Sequence, residues 1–191
     1  MTSDFQSSRV ISVDGIVFSV SVSDNVIYAL VDEFTGEWLV RVYGSDYQLI
    51  RSWRHEAKTA GEMFCQLEVR KDCVLVPHIV GKTIIQYSLT GEVERRIPCP
   101  ILMDASTWLC VMSPHCDTVI VSSADTVSCI DLSTGRCVWS TDTLDYPTAV
   151  ACHDADRVYV AVGGLSENTQ IAVLDGDTGK TVTTSQTHQC F

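Results

Sequence analysis

Two kinds of ligand loop share residue types with the stretch LDGDTGKT, which covers residues 174–181. A P-loop requires Gly-x-x-x-x-Gly-Lys-Ser/Thr, because its glycines let backbone N–H groups wrap around phosphate oxygens. The Gly-Lys-Thr end is present, but Leu174 stands where the first glycine is needed. A calcium loop beginning at Asp175 requires a bidentate Glu at its twelfth position, and the chain has Gln186 there. Neither loop is predicted, so the stretch is interpreted as a tight turn between two strands.

A cluster of cysteine and histidine residues is the main candidate for a metal site. Its members are Cys110, His115 and Cys116, and a further pair, Cys152 and His153, follows later in the chain. Structural zinc sites use four ligands at characteristic short spacings, and this sequence contains no Cys-x-x-Cys pair. The spacing therefore favours packing within strands, and neither a metal nor a cofactor is predicted.

Two sequence motifs of catalysis are absent from the chain. The chain has neither the Gly-x-Ser-x-Gly turn of hydrolases nor the His-Glu-x-x-His pattern of zinc proteases. His78, which follows Pro77, could face the mouth of a channel, but a lone loop histidine is more often a solvated side chain than a general base. An enzyme is therefore the minority hypothesis.

Composition and charge narrow the classes of function. The chain has 191 residues, of which 46% are hydrophobic and 19% charged, as is typical of a globular protein. Its net charge of −11 repels phosphate backbones, so no nucleic-acid partner is expected. No apolar run approaches the roughly 20 residues that cross a bilayer, and no secretory signal is visible. We therefore expect a cytoplasmic protein without a membrane partner, whose nine cysteines stay reduced.

One turn-like pattern recurs along the chain at a constant interval. It appears in VYGSDYQLIRSW, QYSLTGEVERRI, CIDLSTGRCVWST and VLDGDTGKTVTTS, which align so that one position repeats every 44 residues. That position is held by Tyr47, Gly91, Gly135 and Gly179. Tight hairpin turns favour glycine there because glycine adopts positive φ without steric cost. Tyr47 breaks the pattern, so a locally altered turn is expected in the first repeat.

The rest of each repeat is rich in strand-forming residues. Apolar runs flank a second anchor, an aspartate found at Asp24, Asp72, Asp117 and Asp156. Each repeat thus has the order strand, turn, strand, loop, strand, tight turn, strand, and no helical periodicity of useful length appears. Four strands in about 44 residues are typical of a β-propeller blade. The innermost strands are expected to carry the small or medium residues Val17, Cys65, Cys110 and Ala149.

The predicted fold is therefore an all-β propeller of four visible blades in a single domain over residues 1–191. The blades are expected at about residues 10–57, 58–102, 103–146 and 147–191. Four blades are the lower limit for a closed propeller, so three arrangements stay open: closure by four blades, part of a larger ring, or a ring completed by two chains. A partial ring is favoured because no strand is left over to join the last blade to the first. Its open ends would expose blade faces and edges, which promotes self-association.

The repeats resemble two families of propeller proteins. The segment PTAVACHDADRVYVAV, which starts at Pro147, is similar to the first half of an NHL repeat, and VYGSDYQLIRSW is similar to its closing hairpin. CIDLSTGRCVWST and VLDGDTGKTV resemble blades of the PQQ-like, quinoprotein type through their Asp-x-x-Thr-Gly turn. The resemblance implies a propeller fold and does not by itself imply a function. Many NHL propellers belong to tripartite-motif ubiquitin ligases, but nothing in this sequence resembles their zinc-binding RING or B-box.

The loops between the second and third strands are longest in the first and fourth repeats. They read DEFTGEW at residues 32–38 and GGLSENT at residues 163–169. Loops on a rigid scaffold are where binding concentrates, so we expect a protein or peptide partner on this face. The residues expected to bind it are Phe34, Glu37, Trp38, Leu165 and Asn168. For Trp38, packing across its own hairpin is the alternative.

The sequence therefore favours a non-catalytic interaction scaffold. The alternative is a propeller enzyme, or a binder of a sugar or cofactor, that uses the central channel. Polar or charged residues facing the channel would favour the alternative, and the inner positions read from the sequence are mostly apolar.

Overall fold

The computed structural model describes residues 10–56, 66–102, 109–111, 117–122, 126–142, 144, 147–154, 156–163 and 170–186. These residues form sixteen β-strands, and the described part of the chain contains no helix. Within these ranges there is accordingly no helix long and apolar enough to cross a membrane.

The strands fall into four groups along the chain. The first group contains β1 (Ile16–Ser23), β2 (Val26–Asp32), β3 (Trp38–Tyr43) and β4 (Leu49–Arg54). The second contains β5 (Glu68–Val69), β6 (Cys73–His78), β7 (Thr83–Ser88) and β8 (Val93–Pro98). The third contains β9 (Leu109–Val111), β10 (Thr118–Ser122), β11 (Val127–Asp131) and β12 (Cys137–Thr141). The fourth contains β13 (Pro147–Asp154), β14 (Arg157–Val162), β15 (Gln170–Asp175) and β16 (Thr181–Gln186).

Each group forms one four-stranded antiparallel sheet whose strands pair in chain order. The four sheets are the blades of a four-blade β-propeller, which confirms the predicted all-β fold. The first strands of neighbouring blades approach each other, since β1 contacts β5 and β9 contacts β13. Val17 lies in β1, Cys110 in β9 and Ala149 in β13, whereas Cys65 is outside the described residues. The expected boundaries between the blades stay a prediction.

The hydrophobic core lies mainly between the blades. Each blade is a two-faced sheet, and successive residues of a strand point to opposite faces. Tyr28 and Leu30 of blade 1 therefore pack against Val74 and Tyr87 of blade 2. A second cluster joins blades 2 and 3, and a third joins blades 3 and 4. No hydrophobic cluster of the described residues joins blade 4 to blade 1.

The last hairpin of every blade turns through a residue with positive φ. Residues Gly91, Gly135 and Gly179 have φ values of 94°, 69° and 68°. Just after each turn the register of the outer strand shifts, as in a β-bulge. The constant interval of 44 residues therefore marks a positive-φ residue followed by a bulge in each blade. The turns of blades 3 and 4 are one residue longer than those of blades 1 and 2.

Tyr47 does not alter the turn of blade 1, so the expectation of a changed turn is wrong. Its φ is 67°, which is close to the 69° of Gly135 and the 68° of Gly179. Its N–H donates to the Gly44 carbonyl at 2.9 Å, as Gly91 N–H donates to Ser88 at 3.0 Å. A bulky residue in this left-handed conformation costs about 1–2 kcal/mol, so blade 1 keeps the turn at the expense of strain.

Two of the turn glycines are also required by the neighbouring blade. A Cβ atom at Gly91 would lie 2.6 Å from Cδ2 of Trp53, and one at Gly179 would lie 2.4 Å from Cε3 of Trp139. Both tryptophans belong to the outer strand of the preceding blade. The glycines therefore serve the turn and leave room for an indole ring at the junction.

Candidate functional site

The loop between β2 and β3 in blade 1 presents one large exposed aromatic side chain. Phe34 is 76% exposed and has a φ of 63°. Gly36, with a φ of 70°, donates its N–H to Oδ1 of Asp32 at 3.2 Å, and this bond closes the loop. The loop thus holds the phenyl ring of Phe34 away from the propeller.

Two ion pairs tie the acidic residues of this loop to the blade. Glu33 pairs with Arg41, and Glu37 pairs with Arg54 at 2.7 Å. These pairs are partly exposed, so each contributes little to the free energy of folding. They nevertheless fix both sides of the loop, and Phe34 stands between two carboxylates that are already neutralised by arginines.

The conformation of Phe34 is strained. A non-glycine residue with positive φ lowers the stability of the folded state by about 1–2 kcal/mol. Because the phenyl ring is exposed, its burial does not offset this cost. Strained backbone of this kind concentrates at binding and catalytic sites, where the surrounding structure maintains it. Exposure and strain at one aromatic residue make the segment Glu33–Glu37, which we call the Phe34 loop, the leading candidate for a binding surface.

Trp38 lies in the core and does not contribute to this surface. It is 3% exposed, and its ring centroid is 4.8 Å from that of Phe18 and 6.3 Å from that of His55. An interface hot spot needs a side chain that a partner can reach, so the hot-spot expectation for Trp38 is wrong. The packing alternative describes it, because the first residue of β3 points into the junction between blades 1 and 2.

The other expected binding residues differ in what can be said of them. Glu37 is half-buried and lies in the Phe34 loop, where it pairs with Arg54. Leu165 and Asn168 lie outside the described residues, so the role of the fourth loop stays a prediction. The loop joins β14 to β15, which is the same connection within its blade as the Phe34 loop.

A buried histidine that sequence reasoning missed links blades 1 and 2. His55 is 1% exposed, and its Nδ1 lies 2.8 Å from the hydroxyl of Tyr87. His78 of β6 stands edge-on to it, with ring centroids 6.1 Å apart. Burial lowers the pKa of His55 to about 4; His78 acts in the same direction, and the Pro77 carbonyl and Glu56 act against it. The neutral imidazole therefore acts as an inter-blade contact, and its burial separates it from any substrate.

A polar groove of about 340 Å³ lies between blades 2 and 3. Arg70 crosses it to donate to the Thr118 carbonyl at 2.6 Å, and Arg95 donates to the Leu132 carbonyl at 2.7 Å. The remaining charged residues of the lining are Asp72, Glu94 and Asp117. Its arginines bridge two blades, so the groove is best explained as part of their junction.

The turn containing Asp175 uses its carboxylate internally. Oδ1 of Asp175 accepts hydrogen bonds from the N–H and the hydroxyl of Thr178, at 2.9 and 2.7 Å. These bonds lower the pKa of Asp175 below its ordinary value. Asp131 and Thr134 repeat the arrangement in blade 3. The Asp-x-x-Thr-Gly pattern is thus a side-chain-capped turn.

The metal candidates fall mostly outside the described ranges. His115 and Cys116 lie there, and the side chain of Cys110 is likewise not described. Among the residues that are described, no group of three or more His, Cys, Asp or Glu side chains is arranged to hold a metal ion. Burial raises the pKa of the Cys99 and Cys152 thiols to about 11, which disfavours the thiolate that binds metals.

Comparison with known proteins identifies structural neighbours only. No family model matches the chain. No curated protein matches it in sequence. The fold is similar to the Pan2 WD40 domain of Neurospora crassa, with 13% identity, a TM-score of 0.67, and 93% of this chain and 52% of that one covered. It is similar to BamB from Moraxella catarrhalis, with 16% identity, a TM-score of 0.55, and 86% and 47% covered. The computationally designed Ika4 protein gives 16% identity, a TM-score of 0.58, and 89% and 99% covered.

These neighbours support the propeller architecture and differ from the chain in size. The chain spans about half the length of the Pan2 WD40 domain and of BamB. It corresponds to nearly the whole of the designed Ika4 protein. At such low identity the likeness shows the fold alone.

Proposed function

We propose that this protein is a non-catalytic interaction scaffold that binds a protein or peptide partner through the Phe34 loop. The observation that carries the proposal is the strained and exposed Phe34, on a loop fixed at both sides by ion pairs. Large aromatic anchors that enter an apolar pocket contribute most of the binding energy in many interfaces. The partner is therefore expected to offer an apolar pocket.

The net charge of the chain favours a basic partner. That charge is −11, whereas the two carboxylates beside Phe34 are already paired with arginines and add little to it. Opposite charge at the rim of an interface steers association and excludes unsuitable partners. We expect lysine or arginine residues around the apolar pocket of the partner.

Self-association is the second interaction that we propose. It is supported by apolar residues that remain exposed on blades 1 and 4, among them Val20, Val22 and Ile171. Kinship with NHL or PQQ-like propellers is also proposed, supported by the capped Asp-x-x-Thr-Gly turns of blades 3 and 4. A cytoplasmic location remains part of the proposal.

The partner site is tested by affinity capture with the purified chain, followed by titration calorimetry on the captured partner once it has been purified. Phe34→Ala should weaken the purified complex about 30-fold or more, which corresponds to a hot-spot loss of about 2 kcal/mol. Val80→Ala is the matched control, because Val80 is 63% exposed in the corresponding loop of blade 2. Equal affinities of the wild type and Phe34→Ala would refute the site.

A second variant separates binding from folding. Phe34→Gly removes the same ring but fits a positive φ, so it should raise the free energy of unfolding by up to about 1 kcal/mol. Binding should be lost as it is in Phe34→Ala. A Phe34→Gly protein that is less stable than the wild type would show that the ring packs against the chain.

A further inference from the structure

Blades 1 and 4, at the two ends of the series, each have one face that resembles a buried inter-blade face but is not covered by another blade within the described residues. We define the forward face of a blade as the side that packs on the next blade along the chain, and the backward face as the side that packs on the previous one. Blades 1–3 have a covered forward face, because each packs on its successor. Among the described residues, no hydrophobic cluster joins the forward face of blade 4 or the backward face of blade 1 to another blade.

The forward face of blade 4 is built like the buried forward faces. Its Tyr159 is the third residue of the second strand and is 38% exposed. The third residues of the second strands in the other blades are at most 6% exposed; they are Tyr28, Leu75 and Ile120. Ile171, which pairs with Ala161, is likewise more exposed than the residues at the same sheet position in the other blades. Ile171 is 37% exposed, whereas the side chains at this position in the other blades are fully buried, namely Val40, Ile84 and Val127.

The backward face of blade 1 packs against the segment that precedes β1, and within the described residues it packs against no other blade. Ala29, Val31 and Tyr43 are buried beneath Ile11 and Val13, which precede β1. Linker residues enter the internal junctions in the same way, as Cys99 and Leu102 do between blades 2 and 3. In that junction, the linker residues cover only part of the backward face, and blade 2 covers the rest. On blade 1 the rest of the backward face is open within the described part of the chain, and Val20 and Val22 of β1 remain 57% and 63% exposed.

Each internal junction also has a side-chain clamp that recurs every 44 residues. A donor in the outer strand of one blade reaches the hairpin carbonyl of the next: Arg51 to Leu89 at 3.1 Å, Arg95 to Leu132 at 2.7 Å, and Trp139 to Gly176 at 2.8 Å. The next position of this series is Thr183 on blade 4. Its side chain is short, so the forward face of blade 4 cannot form a clamp of the same length.

Inside the chain, a large side chain on one blade faces a glycine on the next blade; at the two end faces the large residue is on blade 1 and the small ones are on blade 4. Inside the chain, Trp53 packs on Gly91 and Trp139 packs on Gly179. On the end faces, the outer strand of blade 4 offers Thr183 and Ser185, which pair with Val173 and Ile171, and the turn of blade 1 offers Tyr47. Small side chains on the preceding blade thus match a large one on the following blade. This complementarity favours contact between blade 4 and blade 1 over contact between two identical faces.

We propose that a second copy of this chain covers both faces, so that the forward face of blade 4 in each copy packs on the backward face of blade 1 in the other. Two copies would then form one closed ring of eight blades with two identical new junctions. The inference rests on the proposed self-association and specifies its geometry. The chain covers about half of the Pan2 WD40 domain and about half of BamB, both of which are larger propellers.

The charge distribution is compatible with this contact. Each copy has a net charge of −11, yet the forward face of blade 4 is mainly uncharged. Its apolar members are Ala149, Ala151, Tyr159, Ala161, Ile171 and Val173. Two charged residues whose side chains are described, Arg157 and Asp175, lie on it and pair with each other, with a nitrogen–oxygen distance of 3.8 Å. Repulsion between the copies should thus be long-range, and added salt should strengthen the dimer.

The test measures molar mass by sedimentation velocity or light scattering over a range of concentrations. The wild type should change from the mass of one chain to that of two and no further. Ile171→Glu on blade 4 and Val20→Glu on blade 1 should each give only the monomer. Val138→Glu is the matched control, because Val138 is 54% exposed on the outer strand of blade 3 and lies on neither face.

Mixing the two face variants distinguishes the proposed geometry from its alternatives. The mixture retains one unmutated pair of faces. This pair consists of the forward face of blade 4 in Val20→Glu and the backward face of blade 1 in Ile171→Glu. A dimer should therefore reappear in the mixture, with a weaker affinity than in the wild type. Its return would also show that both variants are folded.

Several outcomes would overturn the proposal. A wild type that stays monomeric at all concentrations would refute it, and so would a mass that grows beyond two copies. Dimerisation of either face variant alone would indicate contact between identical faces instead. Phe34→Ala should leave the dimer unchanged, so loss of the partner site and loss of the ring can be told apart.

Discussion

The junction between blades 2 and 3 and the forward face of blade 4 come from the same repeat but have different surroundings. At one sheet position, Ile84 is fully buried in the junction and Ile171 is 37% exposed on the free face. Arg95 clamps the junction through the Leu132 carbonyl, and Thr183 occupies the matching position on blade 4. The order and pairing of the strands repeat, whereas the side chains at the end face are changed. The fold therefore resides in the repeat, and the potential for interaction resides in the departures from it.

The two isoleucines should differ most in how much their replacement lowers the free energy of unfolding. Ile84→Ala should lower the free energy of unfolding by about 2–5 kcal/mol, because it leaves a cavity in a closed core. Ile171→Ala should lower it by less than about 1 kcal/mol, because its side chain already contacts water in the monomer. Urea unfolding of both variants at low protein concentration measures the difference. Equal losses would mean that the forward face of blade 4 is covered within the monomer.

The next effect concerns pH and the junction between blades 1 and 2. His55 has a folded-state pKa of about 4, below its unfolded value of 6.5, so the unfolded state binds its proton first as the pH falls. The stability associated with neutral His55 is complete above about pH 6.5 and is lost progressively towards pH 4. The loss amounts to about 3 kcal/mol.

The measurement is the difference in unfolding free energy between the wild type and His55→Gln across this range. This difference should shrink by about 3 kcal/mol as the pH falls from 7 to 4. Burial raises the pKa of Glu68 to about 7, so Glu68 titrates in the opposite sense, but it does so in both proteins and cancels. Parallel pH profiles would show that His55 is not held neutral by the junction.

Much of the fold could be predicted because its signal is periodic. Tyr47, Gly91, Gly135 and Gly179 stand 44 residues apart, and this interval is the length of one blade. The strand order followed from apolar runs between turn residues. The tyrosine turn was expected to differ, yet the hydrogen bonds of the hairpin hold Tyr47 at a φ of 67°. Sequence alone does not reveal whether the surrounding structure can maintain such strain.

The site was less predictable because it depends on which way individual side chains point. Phe34 and Trp38 stand four residues apart in one loop segment, but one is 76% and the other 3% exposed. Trp38 begins β3, and the register of that strand turns its ring towards Phe18 and His55. His55 and Tyr87 lie in different blades and meet only through packing. An available signal for the junctions was the series Arg51, Arg95 and Trp139, which follows the same 44-residue interval.

Hydroxyl-radical footprinting at low and high protein concentration tests directly whether a second chain covers the forward face of blade 4. In the monomer, Phe34 and Tyr159 should be modified readily, whereas Trp38 and Tyr87 should be protected, since they are 3% and 1% exposed. At high concentration Tyr159 should become protected while Phe34 remains reactive, because only Tyr159 lies on the face assigned to the second copy. A Tyr159 equally reactive at both concentrations, or protected already in the monomer, would contradict the assignment of an open forward face that a second chain covers.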